Sequence, residues 1–257
     1  MGREMENYKI VVQYDGSRYK GWQVQKSTGD TIQGKLQEIL STLSGEDVEV
    51  IGSGRTDAGV HAKGQVANFH INLKKSMTEK ELLIYINEKL PDDIAVISLE
   101  KANERFHARF NAVEKTYRYR LYVSPIADVF EKKFVYTFLE AKLDVKAMKK
   151  AAELMLGKQD FKAFCGNKHM KKSTVREVKE IKLTEIKDEN GLKEIDIDYT
   201  GDGFLQNMIR IMTGTLLEVG MGKRKPESVK EIIESGNREN AGYTAPPQGL
   251  CLMNVNY

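Results

Sequence analysis

Apolar and β-branched positions dominate residues 8–14 (YKIVVQY), and Asp15-Gly16 then breaks the run as a turn signal. That pattern predicts a strand, followed by a polar loop over 17–28 in which Tyr19 and Trp22 are candidate anchors. From Ile32 the period changes. Ile32, Leu36, Ile39, Leu40 and Leu43 recur at helical spacing, with Gly45 as the stop. A short strand over 47–51, a glycine-rich loop and an alternating strand over 64–71 come next. Thr78-x-x-Glu81 is a capping box that opens a helix running to Leu90; Pro91 closes it, and 94–99 reads as a strand.

The second half repeats this order. Residues 115–123 read as a strand, and Asp144 caps a helix carrying Val145, Met148, Ala152 and Met155. Strands over 175–186 and 192–200 are joined by the turn-like run Lys187-Asp188-Glu189-Asn190-Gly191. A helix from Phe204 to about Val219, a shorter one over 226–234 and a last strand over 250–257 complete the chain. Two β-α-β-β-α-β units predict an α+β fold of two domains, each with its helices on one sheet face. The boundary is expected near Asn103, giving domains 1–103 and 104–257. No Pro/Gly-rich linker separates them.

The 257 residues are 40% hydrophobic and 30% charged, which excludes a disordered chain. Cys165 and Cys251 stand far apart and outside any CxxC spacing, against a structural zinc site or a disulfide scaffold. Residues 1–7 are charged, without the apolar stretch of a signal peptide, and nowhere do about 18 apolar residues run together. The expectation is a cytoplasmic protein that does not enter a membrane. A net charge of +3 permits a nucleic-acid partner, so the distribution of charge decides.

Over 105–122 five basic residues (Arg105, Arg109, Lys115, Arg118, Arg120) face one acid, Glu114, and interleave with Phe106, Phe110, Tyr117, Tyr119 and Tyr122. Cations for phosphate beside rings for bases are what RNA binding needs. Strand alternation sets Arg118 and Arg120 opposite Tyr117, Tyr119 and Leu121. Residues 161–175 carry Lys162, Lys168, His169, Lys171 and Lys172 and no acid, and Lys223-Arg224-Lys225 forms a third patch. Any one of these alone is commonly a solvated face; three against a near-balanced total mean segregated charge.

Two stretches carry candidate chemistry. The loop 52–62 (GSGRTDAGVHA) packs three glycines with Arg55, Asp57 and His61. Asp57 is the candidate for the chemistry. Arg55 either binds phosphate or fixes the loop, and His61 is either a structural hydrogen bonder or an RNA contact. In 204–217 (FLQNMIRIMTGTLL) the only ionisable residue is Arg210. Leu205, Met208, Ile209, Met212 and Leu216 form an apolar stripe, and Gly203, Asn207, Arg210 and Gly214 lie opposite. A buried arginine left unpaired costs ~3–5 kcal/mol, so it needs a partner. Asp57 is one choice, and a neighbouring guanidinium would keep that carboxylate ionised. Backbone carbonyls at a domain seam are the other.

With these residues in view, the chain resembles the tRNA pseudouridine synthase A family. The likeness runs through Tyr14-Asp-Gly, Gly21-Trp22-Gln23, the Arg55-Thr-Asp-Ala-Gly-Val-His61 run, Phe106-His-Ala-Arg109, Lys115-x-Tyr117-Arg-Tyr119, Gly203-Phe-Leu-x-Asn-Met-x-Arg210 and Ala245-Pro-x-x-Gly-Leu250. It implies isomerisation of uridine to pseudouridine at positions 38, 39 and 40 of the tRNA anticodon stem-loop. It implies Asp57 as catalytic residue, Tyr117 as the active-site tyrosine, Arg210 as its ion-pairing arginine and Leu250 as an apolar contact to the base. It implies two ferredoxin-like domains, mainly antiparallel, whose sheets join around a central basic cleft, and a homodimer in which tRNA touches both subunits. It implies neither cofactor nor metal. Arg55, Arg109, Arg118, Lys171 and Lys172 are the further candidates for RNA contact. Tyr117 stacks on the uracil, helps remove the C5 proton, or is a core tyrosine. Two rivals stand beside this reading: a non-catalytic RNA-binding module, and a nucleosidase, which usually needs a second carboxylate that the loop lacks.

Overall fold

Strand β1 (Glu6–Tyr14), expected from its β-branched apolar run, buries the alternate residues Tyr8, Ile10, Val12 and Tyr14 on one face. The computed structural model to which it belongs describes residues 5–257 apart from 74, 125, 140, 141, 168 and 190; at 188, 191 and 192 the backbone alone is described. The cation Lys168 and the turn residue Asn190 lie outside the described residues. The chain divides into two compact units, Met1–Val113 with Leu252–Tyr257, and Glu114–Cys251.

In the first unit β1 pairs antiparallel with β3 (His61–Ile71) on one side and β4 (Ile94–Lys101) on the other, and β2 (Val50–Gly52) runs antiparallel along Ala67–Phe69 of β3. Helix α1 (Ile32–Ser44) starts where Thr31 Oγ1 accepts the Gly34 N–H and stops at Gly45, left-handed at φ 79°. Helix α2 (Glu79–Lys89) has the expected box, Thr78 Oγ1 accepting from Glu81 N and Glu81 Oε2 from Thr78 N. Ile32, Leu36 and Leu40 of α1 and Leu82 and Ile86 of α2 are buried.

In the second unit the antiparallel order is β5 (Glu114–Val123), β9 (Gly191–Gly201), β8 (Val175–Asp188), β7 (Gly157–Asp160), with β6 (Tyr136–Phe138) parallel to β5. Strands β6 and β7 were not predicted by the pattern. Lys158-Gln159 has no apolar alternation, and β7 exists only because its backbone pairs with Val175–Val178 of β8. Helix α3 (Val145–Glu153), capped by Asp144 Oδ1 accepting from Ala147 N, packs on α4 (Met208–Gly220). The apolar run predicts a helix from Phe204, whereas α4 starts four residues later, at Met208. Asn207 sits left-handed at φ 59°, and the Met208 N–H closes a turn onto Leu205 O (3.1 Å), so Gly203 and Leu205 do not belong to helix faces. Helix α5 (Ser228–Ser235) and β10 (Leu250–Asn256) follow. The pattern assigned the last strand and residues 104–113 to the second half, yet Leu252–Tyr257 and the chain up to Val113 pack in the first unit: Tyr257 Oη donates to Ala108 O (2.6 Å) and Val113 N to Asn256 O (2.9 Å).

Candidate active site

The Asp57 loop is pinned from both flanks and from below. On the β3 side, Ser53 Oγ donates to Gln65 Oε1 (2.7 Å), Gln65 Nε2 to Gly54 O (3.1 Å) and Ser53 N to Val66 O (2.7 Å). On the side of the polar loop after β1, Trp22 N donates to Thr56 O (3.1 Å), and the Tyr14 and Thr56 hydroxyls share a buried 2.8 Å hydrogen bond. Trp22 itself lies under Gly52: a Cβ there would come within 2.5 Å of the indole, so only glycine lets the strand end pass over the ring. Gly59, at φ 77°, turns the chain toward β3. Thr56 and Val60 are buried, Asp57 is half-buried and Arg55 exposed. Hydrogen bonds to two neighbouring segments therefore hold the backbone on both sides of Asp57.

The candidates that share this loop take separate roles. Arg55 points outward, with Nε donating to Gln23 Oε1 (3.1 Å). His61 is buried; its Nδ1 accepts from Gly16 N (3.0 Å) and lies 3.3 Å from Asp15 Oδ1. That is a structural placement tying β3 to the turn after β1. Trp22 and Tyr19 are both buried, as anchors should be.

In the second unit Arg210 is half-buried in α4, although the apolar run predicts a buried one. Its Nε donates to Ala245 O (2.7 Å) and its Nη1 to Asn207 Oδ1 (2.9 Å), while Ala245 N donates back to Arg210 O (3.0 Å). The segment after Ala245 also meets β5, where Tyr119 Oη donates to Pro246 O (2.8 Å). Residues 245–250 thus bridge the Arg210 helix and the tyrosine strand, and they carry Leu250, which is buried. Tyr117 is buried on the same strand face as Tyr119 and Leu121, edge-on to Phe204 with ring centroids 5.5 Å apart. Phe204 is a neighbour of that ring that residue pattern alone does not single out; its place next to Gly203 in the run leading to Arg210 is the signal the sequence holds for it.

The remaining basic candidates fare differently. Arg109, Lys171 and Lys172 are exposed. Arg118 and Arg120 do lie opposite the tyrosines, but β9 puts carboxylates beside them. Arg118 makes a two-point contact with Asp198 (Nε–Oδ1 2.7 Å, Nη2–Oδ2 2.9 Å) and reaches Asp196 Oδ2 at 3.0 Å. Arg120 pairs with Glu194 (2.6 Å) and Glu131 (2.7 Å). Asp198 raises the Arg118 pKa, chiefly through its hydrogen bond. A phosphate would have to displace two carboxylates to bind Arg118. The signal was present in the alternating acids of Glu194-Ile-Asp-Ile-Asp198, whose face becomes meaningful only once β9 is paired with β5.

Among the described residues no helix is long and apolar enough to cross a membrane. A family model described as tRNA pseudouridine synthase matches residues 10–111 and 151–257, which include the Asp57 loop, the Arg210 helix and the 245–250 segment. The chain is 46% identical over 253 residues to the tRNA pseudouridine synthase A of Bacillus sp. (strain KSM-64), covering 98% of this chain and all of the relative. With the same coverage it is 46% identical to tRNA pseudouridine synthase A 1 of Clostridium tetani and 44% identical to tRNA pseudouridine synthase A 2 of Clostridium perfringens. On this similarity over 98% of its length, the chain belongs to the tRNA pseudouridine synthase family.

Proposed function

We propose that this protein isomerises uridine to pseudouridine at positions 38, 39 and 40 of the tRNA anticodon stem-loop, with Asp57 as its catalytic residue. The observation that carries the reading is the full-length similarity to proteins named tRNA pseudouridine synthase A, joined to a pinned loop whose one acid is Asp57. In the reaction the C1′–N1 bond breaks, the uracil turns, and C5 joins C1′; N1 gains a proton and C5 loses one. Atoms and electrons balance without an oxidant or a transferred group. The Asp57 carboxylate either attacks C1′ or assists an elimination that forms a glycal. Arg210 pairs with Asp57 and keeps it ionised, its guanidinium oriented by Ala245 O and Asn207 Oδ1. Tyr117 stacks on the uracil or helps remove the C5 proton, and Leu250 makes the apolar contact to the base. The uridine leaves its stack to reach them, which costs a few kcal/mol and less near a loop.

The protein works in the cytoplasm as a homodimer of chains with two ferredoxin-like domains; the strand order β4-β1-β3 with β2 on β3 supports that description for the first unit. The test is incubation of unmodified tRNA with the purified protein, without additive, followed by pseudouridine mapping. Product is expected in the anticodon arm, and Asp57→Ala should remove it while leaving tRNA affinity within a few-fold. Absence of product from the wild type, or full activity in Asp57→Ala, refutes the assignment.

A further inference from the structure

The second unit contains a cavity of about 550 Å³ between the 160–175 segment and the turn Gly236–Glu239. Lys162, Lys172, Asn167, Ser173 and Asn237 line it. Both lysines are exposed, and among the described residues neither ammonium is in an ion pair. Two acids also border the space. Asp160 is engaged locally, its Oδ1 accepting from Lys162 N (3.0 Å) and the Thr174 hydroxyl (2.5 Å), and Glu239 lies on the exposed turn. Arg238 forms a wall, its donors turned to Gly242 O (2.9 Å) and Thr244 Oγ1 (3.0 Å). The cavity therefore offers two uncommitted cations together with amide and hydroxyl donors. Its volume lies within the range that holds a small ligand or one nucleotide.

Its position supplies the second argument. Gly166, between the lining residues Cys165 and Asn167, donates its N–H to Gln206 O (2.8 Å), and a Cβ on Gly166 would lie 2.5 Å from Asn207 Nδ2. Asn207 Oδ1 in turn accepts from Arg210. Through Gly166 and Asn207, the segment that carries Cys165 and Asn167 of the cavity is tied to the side chain that holds the Arg210 guanidinium. An RNA strand with its target uridine at Arg210 carries a phosphodiester on either side of that nucleotide.

We infer that this cavity is a phosphate subsite for the RNA backbone next to the target uridine, with Lys162 and Lys172 as its cationic contacts. The inference rests on the pseudouridine synthase reading above and extends it to how the flipped nucleotide is held. It assigns these lysines to substrate positioning, so their loss should weaken binding and leave the chemical step alone.

The experiment uses Lys162→Gln, Lys172→Gln, the double variant and the exposed α2 residue Lys80 as a Lys80→Gln control. KM and kcat for an unmodified anticodon stem-loop are measured over a salt series, with direct RNA binding by fluorescence anisotropy. Each single substitution should raise KM about 3–10-fold with kcat within twofold. Each should also lower the log–log salt slope of binding by about 0.7–0.9, the share of one phosphate contact. Lys80→Gln should match the wild type. Unchanged KM and slope in the double variant overturn the inference, and so does a loss confined to kcat with an unchanged slope. If inorganic phosphate or uridine 5′-monophosphate binds the wild type and not the double variant while RNA affinity is equal in both, the cavity is a small-anion site and the assignment is wrong. A wild type that binds RNA with the expected slopes but forms no pseudouridine refutes the catalytic reading instead.

Discussion

The Tyr14–Thr56 hydrogen bond sits one residue before Asp57 and makes a quantitative test of how the loop is held. Both residues are nearly inaccessible, at 5% and 6% exposure, and the oxygens are 2.8 Å apart. Thr56→Val keeps the shape of the side chain and removes this buried hydrogen bond. Losing such a partner costs about 1–3 kcal/mol, whereas replacing both partners by apolar groups is close to neutral. Tyr14→Phe should cost a similar amount. The double variant should then cost about 0.5–2 kcal/mol less than the two singles added together. Trp22 reports the result, because it is the chain's single tryptophan, is buried beside Tyr14 with ring centroids 6.2 Å apart, and its backbone bonds to Thr56. Guanidinium titrations followed by its fluorescence give the four free energies, and Thr56→Val should lower the melting temperature by about 2–10 °C. The Trp22–Thr56 backbone contact survives in every variant, so kcat should fall only a few-fold. Additive costs, with a coupling inside about 0.3 kcal/mol, would falsify the claim that this bond braces the loop.

Arg210→Lys retains the charge but cannot hold Ala245 O and Asn207 Oδ1 together; losing one charge-assisted contact, about 1.5–3 kcal/mol, predicts a roughly 10–100-fold lower kcat/KM, and wild-type activity would show that charge alone suffices. Gly52→Ala drives a methyl into the Trp22 ring and should destabilise by about 1–3 kcal/mol with a shift in Trp22 emission; an unchanged spectrum and stability would refute that contact. Asp196 tests the sign of a buried charge. Burial pushes its carboxyl pKa up, Arg118 at 3.0 Å pulls it down, and Glu194 raises it again, with the net direction upward. The folded state then holds the proton more tightly than the unfolded chain, so stability falls as pH rises through the folded value. Asp196→Asn should therefore be more stable than wild type at pH 8, by chemical denaturation, and the advantage should vanish below the ordinary value of 3.8; a pH-independent difference contradicts it.

Local order was legible in the chain wherever one segment settles its own conformation. The β-branched apolar run of β1, the spacing of Ile32, Leu36 and Leu40, the Thr78/Glu81 box and the Asp144 cap need no distant partner, and each element formed where its residues placed it. The Arg-Thr-Asp-Ala-Gly-Val-His run marked the loop and the family with equal clarity. Arg210 stands out for a valid reason, an ionisable group in an apolar run; the structure leaves it half-buried, and a backbone carbonyl is among its partners, though that it is Ala245 O only the fold decides.

Partnership across the chain was decided only by the fold. Arg118 and Arg120 read as phosphate ligands until the β5–β9 register set Asp196, Asp198 and Glu194 beside them. Strand β7 and the addition of Leu252–Tyr257 to the first unit depend on backbone pairing, which side-chain periodicity does not encode. The start of α4 turned on one left-handed residue, Asn207, and the passage of Gly52 over Trp22 joins positions thirty residues apart. Periodicity reports which face of an element is apolar, a property of neighbours along the chain. Ion pairing, close approach and the filling of a loop's underside depend on register and packing, and those exist only after the elements have met.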